Sequence, residues 1–140
     1  MTGELGGSEY LKAVHGLIRG VPPALDLARE AALQHVLVEG AATGIIRSAH
    51  DCAEGGLAIT IAECCFDSSH GVEVELQGVA ATTGWRDVAT LFGESASRAV
   101  ISVSPEHVDR LLSMAAAANL PAARLGVVGG DRIRVSVEGV

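Results

Sequence analysis

The sequence predicts an α/β (α+β) domain, a two-layer sandwich of a mixed or antiparallel sheet with helices packed on one face. Three observations point there. Segments with helical and strand periodicity interleave along the 140 residues without the regular repeat of a doubly wound parallel sheet. The hydrophobic content of 49% is built mostly from Ala, Val, Leu and Ile, with one Trp, one Tyr and two Phe, so the core must be aliphatic and closely layered. The stretch Gly71–Leu76, GVEVEL, alternates Val72, Val74 and Leu76 with Glu73 and Glu75, the period of a strand with one wet face. A chain of this length is one domain by size and buries roughly two thirds of the surface its unfolded form would expose.

Residues 1–20 carry five glycines and read as an irregular leader, broken by one helical turn near Ser8–Val14, as though cut from something longer. Residues 21–140 read as the single domain. After Pro22-Pro23, the residues Leu25, Ala28, Ala32, Leu33, Val36 and Leu37 recur at spacings of three and four, an amphipathic helix with Asp26 early, Gly40 as a weak point and Gly44 as a stop. Ile45–His50 is a short strand, and Gly55 to about Phe66 a second helix. GVEVEL follows, read as a strand that is not central and covered on both sides. A Gly/Thr-containing connection then leads to a helical turn at Trp85–Leu91 and a strand in the second half of FGESASRAVISV. Ser104-Pro105 opens another helix, the hydroxyl placed to cap and the proline at the first helical position, and Asn119 and Pro121 stop it. Two strands, ARLGVV and RIRVSV, close the chain around the turn Gly129-Gly130-Asp131.

The charge balance excludes several functions. Ten Lys and Arg against 17 Asp and Glu give −7, with the basic residues scattered, so nucleic acid and anionic membrane are not expected partners. No run approaches the ~20 apolar residues of a bilayer span, and the N-terminus lacks the order of a signal peptide, which reads as cytoplasmic. Three cysteines, two of them adjacent at Cys64-Cys65, fit neither a disulfide framework nor a zinc site and are expected to be buried thiols. His15, His35, His70 and His107 read as surface or helix-face residues without metal-ligand spacing. His50, beside Asp51 at a strand end, is expected to make a structural hydrogen bond. No nucleophile elbow, P-loop or Gly-x-Gly-x-x-Gly is present.

Two glycine-acid turns carry the candidate chemistry. In HDCAEGGL (His50–Leu57), Asp51 and Glu54 have the spacing of a capping box at a helix entry. That leaves Gly55-Gly56 unexplained, since glycine in a first turn costs roughly 0.5–1 kcal/mol relative to Ala. The alternative is a phosphate approaching a helix N-terminus too closely for a Cβ, with Mg²⁺ reconciling the two carboxylates to the anion. In LFGESASR (Leu91–Arg98), Gly93-Glu94-Ser95 precedes a strand, and Ser95, Ser97 and Arg98 offer donors beside a carboxylate; an ordinary polar turn with Arg98 on the wet face of the sheet is the other reading.

In order along the chain, LGGSEYL (Leu5–Leu11), PPALDL (Pro22–Leu27), RSAHDCAEGGLA (Arg47–Ala58), LFGES (Leu91–Ser95) and GVVGGDRIRV (Gly126–Val135) resemble the C-terminus of the phosphoribosylformylglycinamidine synthases. The resemblance covers nearly the whole chain. It implies a C-terminal domain of the aminoimidazole ribonucleotide synthetase superfamily, the last of four in a tandemly repeated, ATP-dependent ligase of purine synthesis that converts formylglycinamide ribonucleotide to its amidine.

By that resemblance, Asp51, Glu54 and Glu94 are metal-binding candidates, and Gly55, Gly56, Gly93, Ser95 and Ser97 nucleotide-binding candidates. No catalytic residue is assigned. Mg²⁺ and ATP or ADP are the implied cofactors, shared with a nucleotide-binding domain absent from this chain. The implied partners are the other synthetase domains and a glutaminase, with self-association into a homodimer left open. Two departures stand out: Ala96 follows the Gly-Glu-Ser turn where the catalytic copy has Gln, and Ala53 stands where relatives often have Ser. Both leave room for a non-catalytic copy that acts as a structural or interaction module. On either reading the chain is not expected to be active alone, and an apolar patch is expected where another domain docks.

Overall fold

The computed structural model describes residues 5–66, 68–77 and 85–137. The expected Gly/Thr-containing connection, apart from its first residue, and the chain ends lie outside them. Among the described residues are five helices, α1 (Glu9–His15), α2 (Leu27–Ala42), α3 (Gly56–Phe66), α4 (Arg86–Phe92) and α5 (Val108–Ala117), and five strands, β1 (Ile46–Asp51), β2 (Val72–Leu76), β3 (Ala99–Val103), β4 (Gly126–Val128) and β5 (Ile133–Val137), in the order α1-α2-β1-α3-β2-α4-β3-α5-β4-β5. The α+β class follows from this order, with the strands divided between two small sheets.

In the first sheet, β1 and β3 pair antiparallel, with His50 opposite Val100 and Asp51 opposite Ala99. The second is mixed, in the order β4-β2-β5, with β2 antiparallel to β4 and parallel to β5. The chain-closing strands therefore form no hairpin with each other. Gly129 and Gly130 instead wrap the start of β2: the Gly129 N–H donates to the Gly71 carbonyl and the Gly71 N–H to the Gly130 carbonyl, each at 2.9 Å. A Cβ on Gly71 would run into the Arg132 backbone. β2 is central in its sheet, yet Glu73 and Glu75 are exposed while Val74 and Leu76 are buried. Alternation reports which face of a strand is wet, not its rank in the sheet.

Two apolar clusters follow from this layout. Leu57 and Ile61 of α3 meet Val74, Leu76 and Val137 of the mixed sheet, with Cys52 between. Val36 of α2 and Leu111 of α5 enclose Ile45, with Ile101 and Val103 of β3 against them. Helix α2 starts at Asp26, whose Oδ1 accepts the N–H groups of Ala28 at 2.9 Å and Arg29 at 3.1 Å. Gly40 is buried, and a Cβ there would strike the side chain of Ile46. The segment read as a leader holds α1, capped by the buried Ser8, whose Oγ accepts from the Leu11 N–H at 3.4 Å.

Ser104 does not cap as expected. A single 3-10 turn, Pro105–His107, comes before α5, and the Ser104 hydroxyl accepts from Arg47 Nε at 2.6 Å. Of the cysteines, Cys52 is buried, Cys65 partly buried and Cys64 exposed, so burial holds for only the first. Among the described residues no helix is long and apolar enough to cross a membrane.

Candidate functional site

A groove of about 630 Å³ runs between α2 on one side and the end of β1 and the start of β3 on the other. Asp51, Glu54, Glu94 and Ser97 all line it, so the two glycine-acid turns meet on one face. This convergence follows from the β1–β3 pairing, which sets Asp51 opposite Ala99 and lets the Cys52 N–H donate to the Arg98 carbonyl at 3.0 Å. Helix α2 adds Glu30, Leu33, Gln34 and Leu37 as a wall. Sequence reasoning missed these four, since nothing local says which flank of an amphipathic helix faces a turn far along the chain.

Gly55, Gly56, Gly93 and Ser95 do not line the groove. Gly55 and Gly56 are buried, and the space a Cβ would need at Gly56 is taken by the Phe92 and Gly93 backbone, 2.8 Å away. Both also have positive φ, 80° and 67°, the region that L side chains avoid. These two facts supply the compensation that the glycine pair required. A guest phosphate is not needed to explain it.

The capping-box reading also changes. Asp51 ends β1, five residues before α3 begins, and its side chain is 82% exposed. The carboxylate that serves this helix entry is Glu94: its Oε1 accepts the Gly55 N–H at 2.8 Å and also the Glu9 N–H at 2.8 Å. One oxygen thus satisfies unpaired donors at the starts of α3 and α1. His50 makes its structural hydrogen bond, Nδ1 lying 2.8 Å from the Asp51 carbonyl.

Arg98 turns toward its own loop. Its Nε donates to the Ser95 carbonyl at 2.8 Å and its terminal nitrogen to the Gly93 carbonyl, and burial holds the guanidinium below its ordinary value. Ser97 sits at φ 58° with its Oγ buried outside ordinary hydrogen-bond geometry. It nonetheless faces Glu30, whose carboxyl is held below its usual value first by Ser97 and then by Gln34.

For a metal, the three-carboxylate set does not fit: among the described residues no three His, Cys, Asp or Glu side chains gather as ligands, and Glu94 is engaged by backbone amides. Asp51 and Glu54 are both exposed on the groove rim, a pair of the kind Mg²⁺ accepts when phosphate oxygens complete its shell.

The family model described as AIR synthase related protein, C-terminal domain, matches residues 1–138. The chain belongs to this family. Among similar proteins, phosphoribosylformylglycinamidine synthase subunit PurL of Thermobifida fusca (strain YX) is 44% identical, covering 96% of this chain and 18% of that protein. The PurL of Moorella thermoacetica is 45% identical over 97% of this chain, again 18% of its own length. This AIR-synthase-related domain therefore spans about a fifth of the relatives it matches.

Solved structures agree in fold. Phosphoribosylformylglycinamidine synthase II from Thermotoga maritima superposes with a TM-score of 0.70 at 22% identity, covering 84% of this chain and 20% of that one. T. maritima PurL complexed with ATP gives 0.67 at 24%, covering 78% and 19%. PurLQS from T. maritima gives 0.69 at 19%, covering 96% and 23%.

Proposed function

We propose that this domain is the C-terminal part of a phosphoribosylformylglycinamidine synthase, a cytoplasmic ATP-dependent ligase of purine biosynthesis that converts formylglycinamide ribonucleotide to formylglycinamidine ribonucleotide. The observation that carries this reading is 44% identity across 96% of the chain to a protein of that name. The domain contributes one wall of a nucleotide cleft that other synthetase domains complete; the ATP, ADP and AMPPCP complexes of T. maritima PurL support a nucleotide as guest. PurLQS supports a multi-subunit assembly, in which we place the glutaminase partner.

Within the cleft, Asp51 and Glu54 are the residues that would hold Mg²⁺, which when bound neutralises phosphate charge. Ser97 lines the groove wall against Glu30. Glu94 and Arg98 shape the wall from behind, and Gly56 lets the two turns pack with no side chain between its backbone and that of Phe92 and Gly93.

Calorimetry tests the shared cleft. Mg-ADP should bind the isolated chain weakly at most and bind more tightly once the preceding domain is supplied, whereas unchanged affinity on reconstitution would rule the cleft out. A second reading, a non-catalytic copy acting as an interaction module, is favoured by the inward turn of Arg98, which donates to its own loop, and by the capping role of Glu94, whose carboxylate is taken up by backbone amides. Asp51→Asn in the full synthase separates the two: lost turnover with intact assembly supports the ligase wall, and unchanged turnover supports the module.

A further inference from the structure

The segment around α1 is built as a flap. The Gly7 N–H donates to the Arg19 carbonyl at 3.0 Å, tying residues 7–19 into a closed loop. Gly7, Gly16 and Gly20 have φ of 74°, 65° and 99°, and Gly6 and Gly20 pack backbone to backbone at its base, as bare residues at a hinge do. Helix α1 buries none of its own residues. Among the described residues its holds on the domain include the Glu94 carboxylate on the Glu9 N–H, the Tyr10 ring stacked on Phe92 with centroids 5.0 Å apart, and an edge contact from His15 to Trp85 at 6.1 Å.

We propose that α1 is a hinged strap that opens as a unit while the rest of the domain stays folded, with Glu94 as its catch. The same carboxylate oxygen holds Gly55, and Glu94 borders the groove, so opening leaves Glu94 with one backbone donor instead of two and uncovers the Phe92 face that Tyr10 covers. The opening is a property of the chain alone and needs neither nucleotide nor metal.

Segments with little burial open far more readily than the core around them, and amide hydrogen exchange read residue by residue on the full chain tests this. In the unaltered protein the Glu9 amide should exchange at least about a hundredfold faster than those of Ile61 and Val74. Glu94→Gln replaces a charge-assisted bond with a neutral one and should speed both the Glu9 and Gly55 amides about tenfold while Val74 stays as it was. Tyr10→Ala should speed Glu9 and spare Gly55. Exchange of Glu9 at the rate of Val74, or a uniform acceleration of all four amides in both variants, would overturn the proposal.

Discussion

At Gly56 two requirements coincide, a φ of 67° and a Cβ position 2.8 Å from backbone atoms that cannot move aside. Gly44 has nearly the same φ, 70°, with nothing within 4 Å. Gly44→Ala should therefore cost about 1–2 kcal/mol, the left-handed penalty alone. Gly56→Ala adds overpacking and should cost about 2–4 kcal/mol, a contrast that paired urea titrations measure directly. Cys52 gives a pH dependence. Burial raises its thiol above the ordinary value of 9.0, with Asp51 adding to the shift and Thr60 and Arg98 opposing it. The unfolded chain then loses this proton first, so the contribution to stability is intact below pH 9.0 and fades as pH rises through the folded value. Disulfide-exchange reagents at pH 8 should label the exposed Cys64 first and reach Cys52 only on unfolding.

Among the elements, α2 and β2 were legible in the sequence because each declares itself locally: Asp26 before a three-and-four repeat, and a strict alternation of Val or Leu with Glu. Asp26→Ala should lower stability by about 1 kcal/mol through loss of the cap, and Leu76→Ala, at 1% exposure, by about 2–5 kcal/mol; thermal melts rank the two. What could not be read was long-range pairing. Glu94 looks like a ligand in its own turn and becomes a cap only when Glu9 and Gly55 arrive from elsewhere. Ser104 looks like a cap until Arg47 takes its hydroxyl. The Gly129-Gly130 turn resembles a hairpin because sequence cannot show that β2 lies between the flanking strands. The groove is half legible: the two acid turns that line it stand out in the sequence, whereas the α2 wall and the burial of the glycine pair do not.

For the whole molecule, β3 joins the two apolar clusters, Val100 packing toward one and Ile101 and Val103 toward the other. One cooperative transition is therefore expected. Circular dichroism and Cys52 accessibility should report the same midpoint in urea, and separated midpoints would mean the clusters fold independently. Ile18 is 84% and Leu27 73% exposed, with Val21 and Leu25 close by in the chain and also uncovered. The domain docking proposed above would fall on these exposed apolar residues, and a dye that fluoresces on apolar surfaces should bind the isolated chain and be displaced on reconstitution.

The placement of β2 between two late strands also bears on synthesis. As the chain leaves the ribosome, β2 emerges with neither neighbour yet made, and its backbone partners arrive only with residues 126–137. Until then its valines and Leu76 have no sheet to complete, so a ribosome stalled before Gly126 should hold a nascent domain that proteases cut readily, and one carrying Val137 clear of the exit tunnel should not.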